Sequence, residues 1–247
     1  MMRILVIGES CKDVYQYGDS VRLCPEAPVP VFKSSSHKTQ NPGMALNVWH
    51  NILAIQPDAE AQICTNENWT EITKTRCVDN RTNYIVVRID DNEDHYPRAE
   101  VDSIEYNKYD VVVISDYNKG FLTEDDIEHI AKNHPVTFLD TKKILGDWCK
   151  DIKFIKINEF EYERTKHKLT PELVERMIIT LGPNGARYQG GTFSVPKVEI
   201  KDTSGAGDTF IAALAASYGK TKDIHEAITV ANAAATKVVQ KKGVGTA

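Results

Sequence analysis

The stretch "KDTSGAGDTF", Lys201 to Phe210, combines small residues, an acid and the start of an apolar run. Gly205, Ala206 and Gly207 predict a flexible turn whose backbone N–H groups can surround an anion. The apolar run that follows predicts a helix, and its positive N-terminal end would face the same point. Asp208 comes directly after the turn, where its carboxylate would repel a bound phosphate. The pattern therefore predicts an anion site with an acid inside it.

Several short apolar runs predict the strands that position this stretch. They are "ILVIG", "VVVIS", "VTFLD", "FIKIN" and "MIITLG", mostly β-branched and continuous, as strands buried on both faces of a parallel sheet tend to be. Helix start signals lie between them at Thr123 and Thr170. Asp223 opens an Ala-rich run through about Gln240, with Gly243 beyond its end. Strands alternating with helices predict an α/β fold whose ligands collect at the carboxyl ends of the strands.

Two stretches break this pattern and predict a small separate β-sheet. Residues from about 14 to 36 carry three prolines and short alternating segments, which suits an edge strand or flap. Residues from about 72 to 91 predict two strands around a polar turn at Asp79 and Asn80. We expect both stretches to form a lid on a single domain that spans residues 1–247.

The composition, 41% hydrophobic and 26% charged, is typical of a soluble globular protein. A net charge of −5 argues against nucleic acid as the main partner, because binding a phosphate backbone needs a basic surface. The apolar stretch Ile4 to Ile7 is too short for a signal peptide or a membrane span, so we expect no membrane partner. Five scattered cysteines without a C-x-x-C pair favour reduced thiols in a cytoplasm.

The sequence contains no P-loop, no G-x-G-x-x-G after its first strand, no H-E-x-x-H and no G-x-S-x-G. What it does contain, "DTSGAGDTF", is similar to D-T-x-G-A-G-D-x-F, the signature of the PfkB/ribokinase family of carbohydrate kinases. The resemblance implies a ribokinase-like three-layer α/β sandwich, with a mainly parallel central sheet and a small β-sheet lid. It also implies that Asp208 is the base that takes the proton of the substrate hydroxyl, and that the Gly205–Gly207 turn is the anion hole.

The resemblance extends to the nucleotide side. Asn158 and Glu161 in "KINEFE" are similar to the family's N-x-x-E motif, which organises Mg²⁺ through water, although that spacing alone is more often a helix start. "TLGPNGA" resembles the strand-turn that borders the nucleotide and implies contacts from Thr180, Gly182 and Gly185; alone it is a β-turn. Asn232 matches a helix position that lines the adenine pocket, and a tolerated polar residue is the equal alternative. We expect ATP and Mg²⁺ as cofactors, with a monovalent cation left open.

A closer resemblance is to the kinase domains that act on D-glycero-β-D-manno-heptose 7-phosphate in bacterial ADP-heptose synthesis. "RLCPEAPVPV" is similar to that branch's R-x-S-P-E-A-P-V-P-V, and "SDYNKGFL" to its S-D-Y-x-K-G. The branch implies a sugar or sugar phosphate as substrate, and relatives with such a lid often pair it with another subunit's, so we expect a homodimer. The residues implied at the sugar are Glu9, Asp13, Gly43 and Asn47, and the cations implied at a substrate phosphate include Lys142, Arg22, Arg76 and Arg88.

Three departures from the family pattern bear on the substrate. Relatives have Asp where this chain has Glu9, and Met44 replaces the second glycine of P-G-G-A-x-N beside the expected sugar site. The segment after Thr65 is shorter than in relatives. Two alternatives therefore stay open: a kinase for another small sugar or a nucleoside, and a shortened homologue that binds nucleotide or sugar as a regulatory partner without catalysis.

Overall fold

The structure, a computed structural model, describes residues 1–241. Gly243, expected beyond the last helix, lies outside them. The strands are β1 (Arg3–Gly8), β2 (Ser10–Leu23), β3 (Pro30–Met44), β4 (Glu60–Cys64), β5 (Thr73–Asp79), β6 (Ile85–Asp91), β7 (Val111–Asp116), β8 (Thr137–Thr141), β9 (Phe154–Asn158), β10 (Met177–Thr180), β11 (Ala186–Tyr188) and β12 (Gly191–Phe193). The helices are α1 (Ala45–Ile55), α2 (Glu124–Asn133), α3 (Glu159–Thr165), α4 (Pro171–Val174), α5 (Ala206–Thr221) and α6 (Ile224–Val238).

The central sheet of the described residues has eight strands in the order β12-β11-β10-β9-β8-β7-β1-β4. All neighbouring strands from β10 across to β4 in this order are parallel, and β11 and β12 add an antiparallel edge. The mainly parallel sheet predicted from the apolar runs is thus confirmed. Its five predicted strands are β1, β7, β8, β9 and β10, all within this sheet.

Helices cover both faces of the central sheet. On β1, Ile4 and Val6 face one buried cluster, which contains the apolar sides of α1, α5 and α6. Leu5 and Ile7 face a second buried cluster, which contains α2. Because successive strand residues point to opposite faces, burial of all four requires a helical layer on each side. This is the expected three-layer sandwich.

Capping residues fix where the helices start. Thr123 and Asp126 form a reciprocal capping box at the start of α2, and Asp223 accepts hydrogen bonds from two N–H groups in the first turn of α6. Pro171 occupies the first turn of α4, as its fixed φ allows, but that helix has only four residues. Helix α5 is buried almost continuously from Asp208 to Ala216, so it is the central helix of its layer.

The small sheet has the order β3-β2-β5-β6, and it consists of the two stretches that broke the central pattern. Its strands are longer than predicted: β2 begins at Ser10, one residue after β1 ends, and β3 runs to Met44. Among residues 1–241 no helix is long and apolar enough to cross a membrane. All five cysteines lie within that range and are free thiols.

Candidate active site

Asp208 lies in the first turn of α5. The helix starts at Ala206 because Gly205 turns the chain with a φ of 77°, a left-handed conformation that glycine adopts at little cost. The first N–H groups of a helix have no intrahelical partner, and the helix dipole is positive at that end. The turn therefore has the backbone geometry and the electrostatic sign that an anion site needs, and anion binding there stays a prediction.

The Asp208 carboxylate is only 6% exposed, and both of its oxygens accept a hydrogen bond. Asn47 Nδ2 donates to Oδ2 at 2.9 Å, and the Tyr117 hydroxyl donates to Oδ1 at 2.6 Å. Burial raises the pKa of Asp208 from 3.8 to about 6, and the two donors act in the opposite direction. A carboxylate with a pKa just below neutrality is suited to accept a proton during a reaction.

A buried network orients the Asn47 amide. Asn51 Nδ2 donates to the Asn47 main-chain oxygen at 2.8 Å and to its side-chain oxygen at 3.1 Å. Thr209 Oγ1 in turn donates to Asn51 Oδ1 at 3.0 Å. Because Asn51 occupies the Asn47 oxygen, the Asn47 N–H₂ group is directed at Asp208. Helices α1 and α5 thus position the Asp208 carboxylate together.

A cavity of about 270 Å³ opens beside Asp208. Lys156 and Asp140, both buried, form an ion pair of 2.6 Å in its wall. The Lys156 ammonium lies beside the anion turn, since a Cβ placed on Gly207 would approach it to 3.0 Å. Asp140 Oδ1 is buried without a hydrogen-bond partner. The full lining is Tyr117, Asp140, Lys142, Lys156, Asn158, Thr180, Gly205, Gly207 and Asp208.

Asn158 and Glu161 form a capping box at the start of α3. Asn158 Oδ1 accepts from the Glu161 N–H, and Glu161 Oε2 accepts from the Asn158 N–H, both at 2.8 Å. Glu161 Oε1 pairs with Lys142. The N-x-x-E spacing therefore starts a helix, the simpler of the two interpretations. The same contacts fix Asn158 at the wall of the cavity and hold Glu161 next to it.

A second cavity of about 500 Å³ adjoins the first, and Thr180 and Gly207 line both. Gly182, Gly185 and Asn232 also line it, so four of the five residues expected at the nucleotide lie around one space, and Asn158 lines the first cavity instead. Gly182 and Gly185 have positive φ angles of 56° and 88°. A Cβ on Gly185 would come within 2.0 Å of the Phe193 main-chain oxygen, so this turn requires glycine. Asn232 Nδ2 donates to the same oxygen at 2.8 Å.

Asp13 and Gly43 lie together on the small sheet. Asp13 is buried and pairs with Arg76, and a Cβ on Gly43 would come within 2.1 Å of Asp13 Oδ2. Gly43 therefore makes room for this carboxylate. Tyr15, two residues after Asp13, lines a neighbouring cavity with Asp202, so β2 lies close to the segment that leads into the Gly205–Gly207 turn.

Of the cations expected at a substrate phosphate, Arg76, Lys142 and Arg88 form ion pairs within the chain. Lys142 pairs with Glu161, and its ammonium lies 5.6 Å from the centre of the Tyr117 ring. Arg88 lies on edge strand β6 and pairs with Asp90, with half of its side chain exposed. Lys142 is at the cavity wall and Arg88 is not among the lining residues.

The structure places Glu9 away from the expected sugar contact. Glu9 is fully buried, and its two carboxylate oxygens accept hydrogen bonds from the main-chain N–H groups of Tyr117 and Lys119, both at 2.9 Å. Burial, and then the charge of Asp116, raise the pKa of Glu9. Each oxygen of this carboxylate is thus held by one main-chain N–H group, and the side chain is closed off from solvent. Glu9 instead fixes the loop after β7.

Met44 directs its side chain into the protein core. It is 3% exposed, belongs to the cluster with Cys11 and Ile72, and its sulfur accepts a hydrogen bond from the Tyr96 hydroxyl at 3.7 Å. Its backbone keeps a φ of 61°, a conformation that favours glycine. The side chain is absent from the lining of the cavity beside Asp208. The replacement of glycine thus strains the backbone and leaves that cavity open.

Three residues that line the cavity, Tyr117, Asp140 and Lys156, are not among the predicted site residues. Lys156 interrupts the apolar run "FIKIN", and a lysine inside a strand buried on both faces indicates a buried charge with a partner. Tyr117 follows β7 directly, at the strand end where ligands collect. Its contact with Asp208 spans 91 positions, so no local pattern could reveal it.

Comparison with known proteins assigns the family. The model of the pfkB family of carbohydrate kinases matches residues 63–247. The chain belongs to this family. The family predicted from "DTSGAGDTF" is therefore confirmed, and in this pfkB-family chain the signature is the part that forms the anion turn and carries Asp208.

Individual relatives agree with the family. The bifunctional protein HldE of Nitratiruptor sp. is 30% identical over 297 residues, which cover 99% of this chain and 63% of that protein. The chain thus spans less than two thirds of the length of that relative. A ribokinase from Thermotoga maritima has the same fold, with a TM-score of 0.74 at 18% identity, covering 99% of this chain and 95% of its own. Arabidopsis thaliana ribokinase, solved with ribose and ATP, has a TM-score of 0.69 at 18% identity, covering 98% and 94%.

Proposed function

We propose that this chain transfers the γ-phosphoryl group of ATP to a hydroxyl of a sugar phosphate of the heptose 7-phosphate class. One observation supports this most strongly: the buried Asp208 carboxylate and the Gly205–Gly207 turn meet at one cavity, which adjoins a second cavity lined by the expected nucleotide residues. The similarity to the bifunctional protein HldE at 30% identity supports the sugar class.

In the proposed reaction, the oxygen of the sugar hydroxyl bonds to the γ-phosphorus while Asp208 accepts the proton of that hydroxyl. The bond from that phosphorus to the β–γ bridging oxygen breaks, and ADP leaves. The N-terminal end of α5 and the Lys156 ammonium stabilise negative charge on the transferring group. Asn47 holds the Asp208 carboxylate in its orientation, because it donates to Oδ2.

The donor set at the cavity fits Mg²⁺. Asp140 Oδ1, which is buried and has no hydrogen-bond partner, lies in the same wall as Asn158, with Glu161 next to it. Within residues 1–241 no group of three or more His, Cys, Asp or Glu side chains is arranged as a metal cage. A few oxygen ligands with several retained waters are how proteins usually hold Mg²⁺. When bound, the ion would neutralise charge on the phosphates.

We assign the sugar to the small-sheet side of Asp208. Asp13 and Asn47 would exchange hydrogen bonds with its hydroxyls, and Gly43 keeps the chain clear of Asp13. For a substrate phosphate we favour Lys142, which lies at the cavity wall, over Arg88, which does not. Binding would require Lys142 to exchange Glu161 for the phosphate, since the two are paired here.

We propose a homodimer in the cytoplasm, with the small sheet as the contact and as a lid. Exposed apolar side chains support this, since Val21, Leu23, Val87 and Ile89 on β2 and β6 are 46–66% exposed. Two observations disfavour the non-catalytic alternative. The Asp208 carboxylate is held in a fixed orientation by the Asn47 amide, and the Met44 side chain packs into the core.

The test is ADP release with Mg²⁺-ATP across a panel of sugar phosphates, free sugars and nucleosides. We expect stimulation by a heptose 7-phosphate or a similar sugar phosphate, and at least about a hundredfold loss in Asp208→Asn, in line with removal of a general base. Asp58→Asn, an exposed acid on the loop before β4, is the matched control. ATP binding without turnover on any compound would refute the kinase assignment, and stimulation by free sugars or nucleosides alone would refute the substrate class.

A further inference from the structure

The general base of the proposed reaction already holds a hydroxyl group. The Tyr117 phenol donates to Asp208 Oδ1 at 2.6 Å, a short O–H···O⁻ distance. The acceptor hydroxyl of a sugar has to make the same kind of contact before it can lose its proton. Asn47 donates to Oδ2, and the Tyr117 hydroxyl is the donor described at Oδ1. The tyrosine thus occupies the oxygen that the sugar hydroxyl would use.

Buried carboxylates hold the backbone around Tyr117 through hydrogen bonds. Glu9 accepts from the N–H groups of Tyr117 and Lys119, on either side of Asn118. Asn118 has a φ of 57°, and its N–H donates to Asp116 Oδ1 at 3.1 Å. Asp116 is itself buried and pairs with Lys143 at 2.9 Å. The loop is therefore rigidly mounted, and the tyrosine can leave Asp208 only by turning its side chain.

Two ammonium groups lie near the Tyr117 ring. Lys142 is 5.6 Å and Lys74 is 5.8 Å from the ring centre, within the range of cation–π attraction. Lys74 comes from the small sheet and Lys142 from the loop after β8. The ring thus lies close to cations from both sheets of the fold, and it lines the cavity beside Asp208.

We propose that Tyr117 is a positioning residue that occupies the place of the acceptor hydroxyl on Asp208 while no sugar is bound, and so keeps water from that place. The proposal rests on the proposed kinase function. The reaction it suppresses is hydrolysis: a water oxygen bonds to the γ-phosphorus, the bond from that phosphorus to the β–γ bridging oxygen breaks, the water proton goes to Asp208, and ADP and phosphate leave. A phenol at the base cannot be replaced by water unless its side chain rotates.

The experiment compares sugar-independent ADP release from Mg²⁺-ATP in the full chain and in Tyr117→Phe. We expect a rise of at least about tenfold, because access to a positioned base is worth roughly 10²–10⁴-fold. Tyr109→Phe is the matched control, since it removes a hydroxyl bonded at 2.7 Å to Gln62 at the other end of β7. A merely structural defect lowers both reactions, so a rise in hydrolysis relative to transfer separates the two roles.

One outcome would overturn the proposal and leave the kinase assignment standing. In it, wild type transfers phosphate to the sugar, and Tyr117→Phe hydrolyses ATP no faster than Tyr109→Phe does. No transfer to any sugar in wild type would refute the kinase assignment and, because Asp208 would then have no acceptor hydroxyl to bind, the role of Tyr117 as well. Thermal denaturation first shows that the variant is folded. If it is not, Glu9→Gln loosens the tyrosine loop without changing the ring; a smaller rise supports the proposal, and no rise overturns it.

Discussion

The hydrogen bond from Asn47 to Asp208 gives the sharpest prediction about the base. Asn47→Leu keeps a side chain of similar size and removes the donor that lies 2.9 Å from Oδ2. A hydrogen bond to a charged group contributes about 1.5–3 kcal/mol, and about 1.4 kcal/mol corresponds to one pKa unit. Since the bond favours the charged form, its loss raises the pKa of Asp208 above the present value of about 6. The expected rise is about 1–2 units.

The sign of the activity change follows from the role of the group. Asp208 must be ionised to accept a proton, so kcat/KM rises with pH through its pKa. In Asn47→Leu this acidic limb should therefore move to higher pH, by the same about 1–2 units. The limiting kcat/KM at high pH falls less than the value near neutrality, and that difference separates the pKa effect from a lost sugar contact.

The assay is kcat/KM for the best sugar phosphate, measured by quantifying ADP directly between about pH 5 and pH 9. Asn133→Leu is the control, because that asparagine caps the exposed end of α2 far from the cavity. An acidic limb that stays in place, or that moves to lower pH, would refute the assignment of Asp208 as a base held by Asn47.

Three further predictions concern stability and the turn that contains Gly185. The pKa of Asp208 is raised from 3.8 to about 6. Its contribution to the unfolding free energy, about 3 kcal/mol, is therefore lost as pH rises through that window. Urea titrations at acidic and neutral pH should show this loss in wild type and not in Asp208→Asn. Gly185→Ala forces a Cβ against the Phe193 oxygen and should lower the melting temperature and weaken ADP binding by calorimetry, whereas Gly190→Ala, with open space at its Cβ, should leave ADP affinity unchanged. Met44→Gly relieves about 1–3 kcal/mol of backbone strain but loses a buried side chain worth about 2–5 kcal/mol. It should therefore unfold at lower urea, and unchanged or higher stability would contradict the packing described for Met44.

The sequence predicts the parts of the site that are contiguous. "DTSGAGDTF" carries the turn, the helix start and the acid within nine residues, and each has a local physical cause. The apolar runs predict the parallel strands for the same reason, because burial on both faces leaves no polar alternation. The positions of Asn158, Thr180 and Asp140 at one edge then follow from the sheet.

The remaining contacts join residues that lie far apart in the chain. The donor from Asn47 is 161 positions from Asp208, and nothing near either residue specifies the pairing. Glu9 shows a second limit. Its type and position resemble those of an acid at the sugar, yet the backbone of Tyr117 and Lys119 lies within its reach. Only the packing of β1 against β7 decides which partner it takes.

The order of strands has a consequence for synthesis on the ribosome. Strand β1 lies inside the sheet, and its neighbour β7 follows about 100 residues later along the chain. The hydrogen bonds to Asp208 join residues 47, 117 and 208, so this cluster cannot assemble until nearly the whole described chain has emerged. Contacts of such long sequence separation form slowly. A nascent chain would thus expose the first strand and its apolar side chains for most of translation, and early binding by a chaperone would protect it.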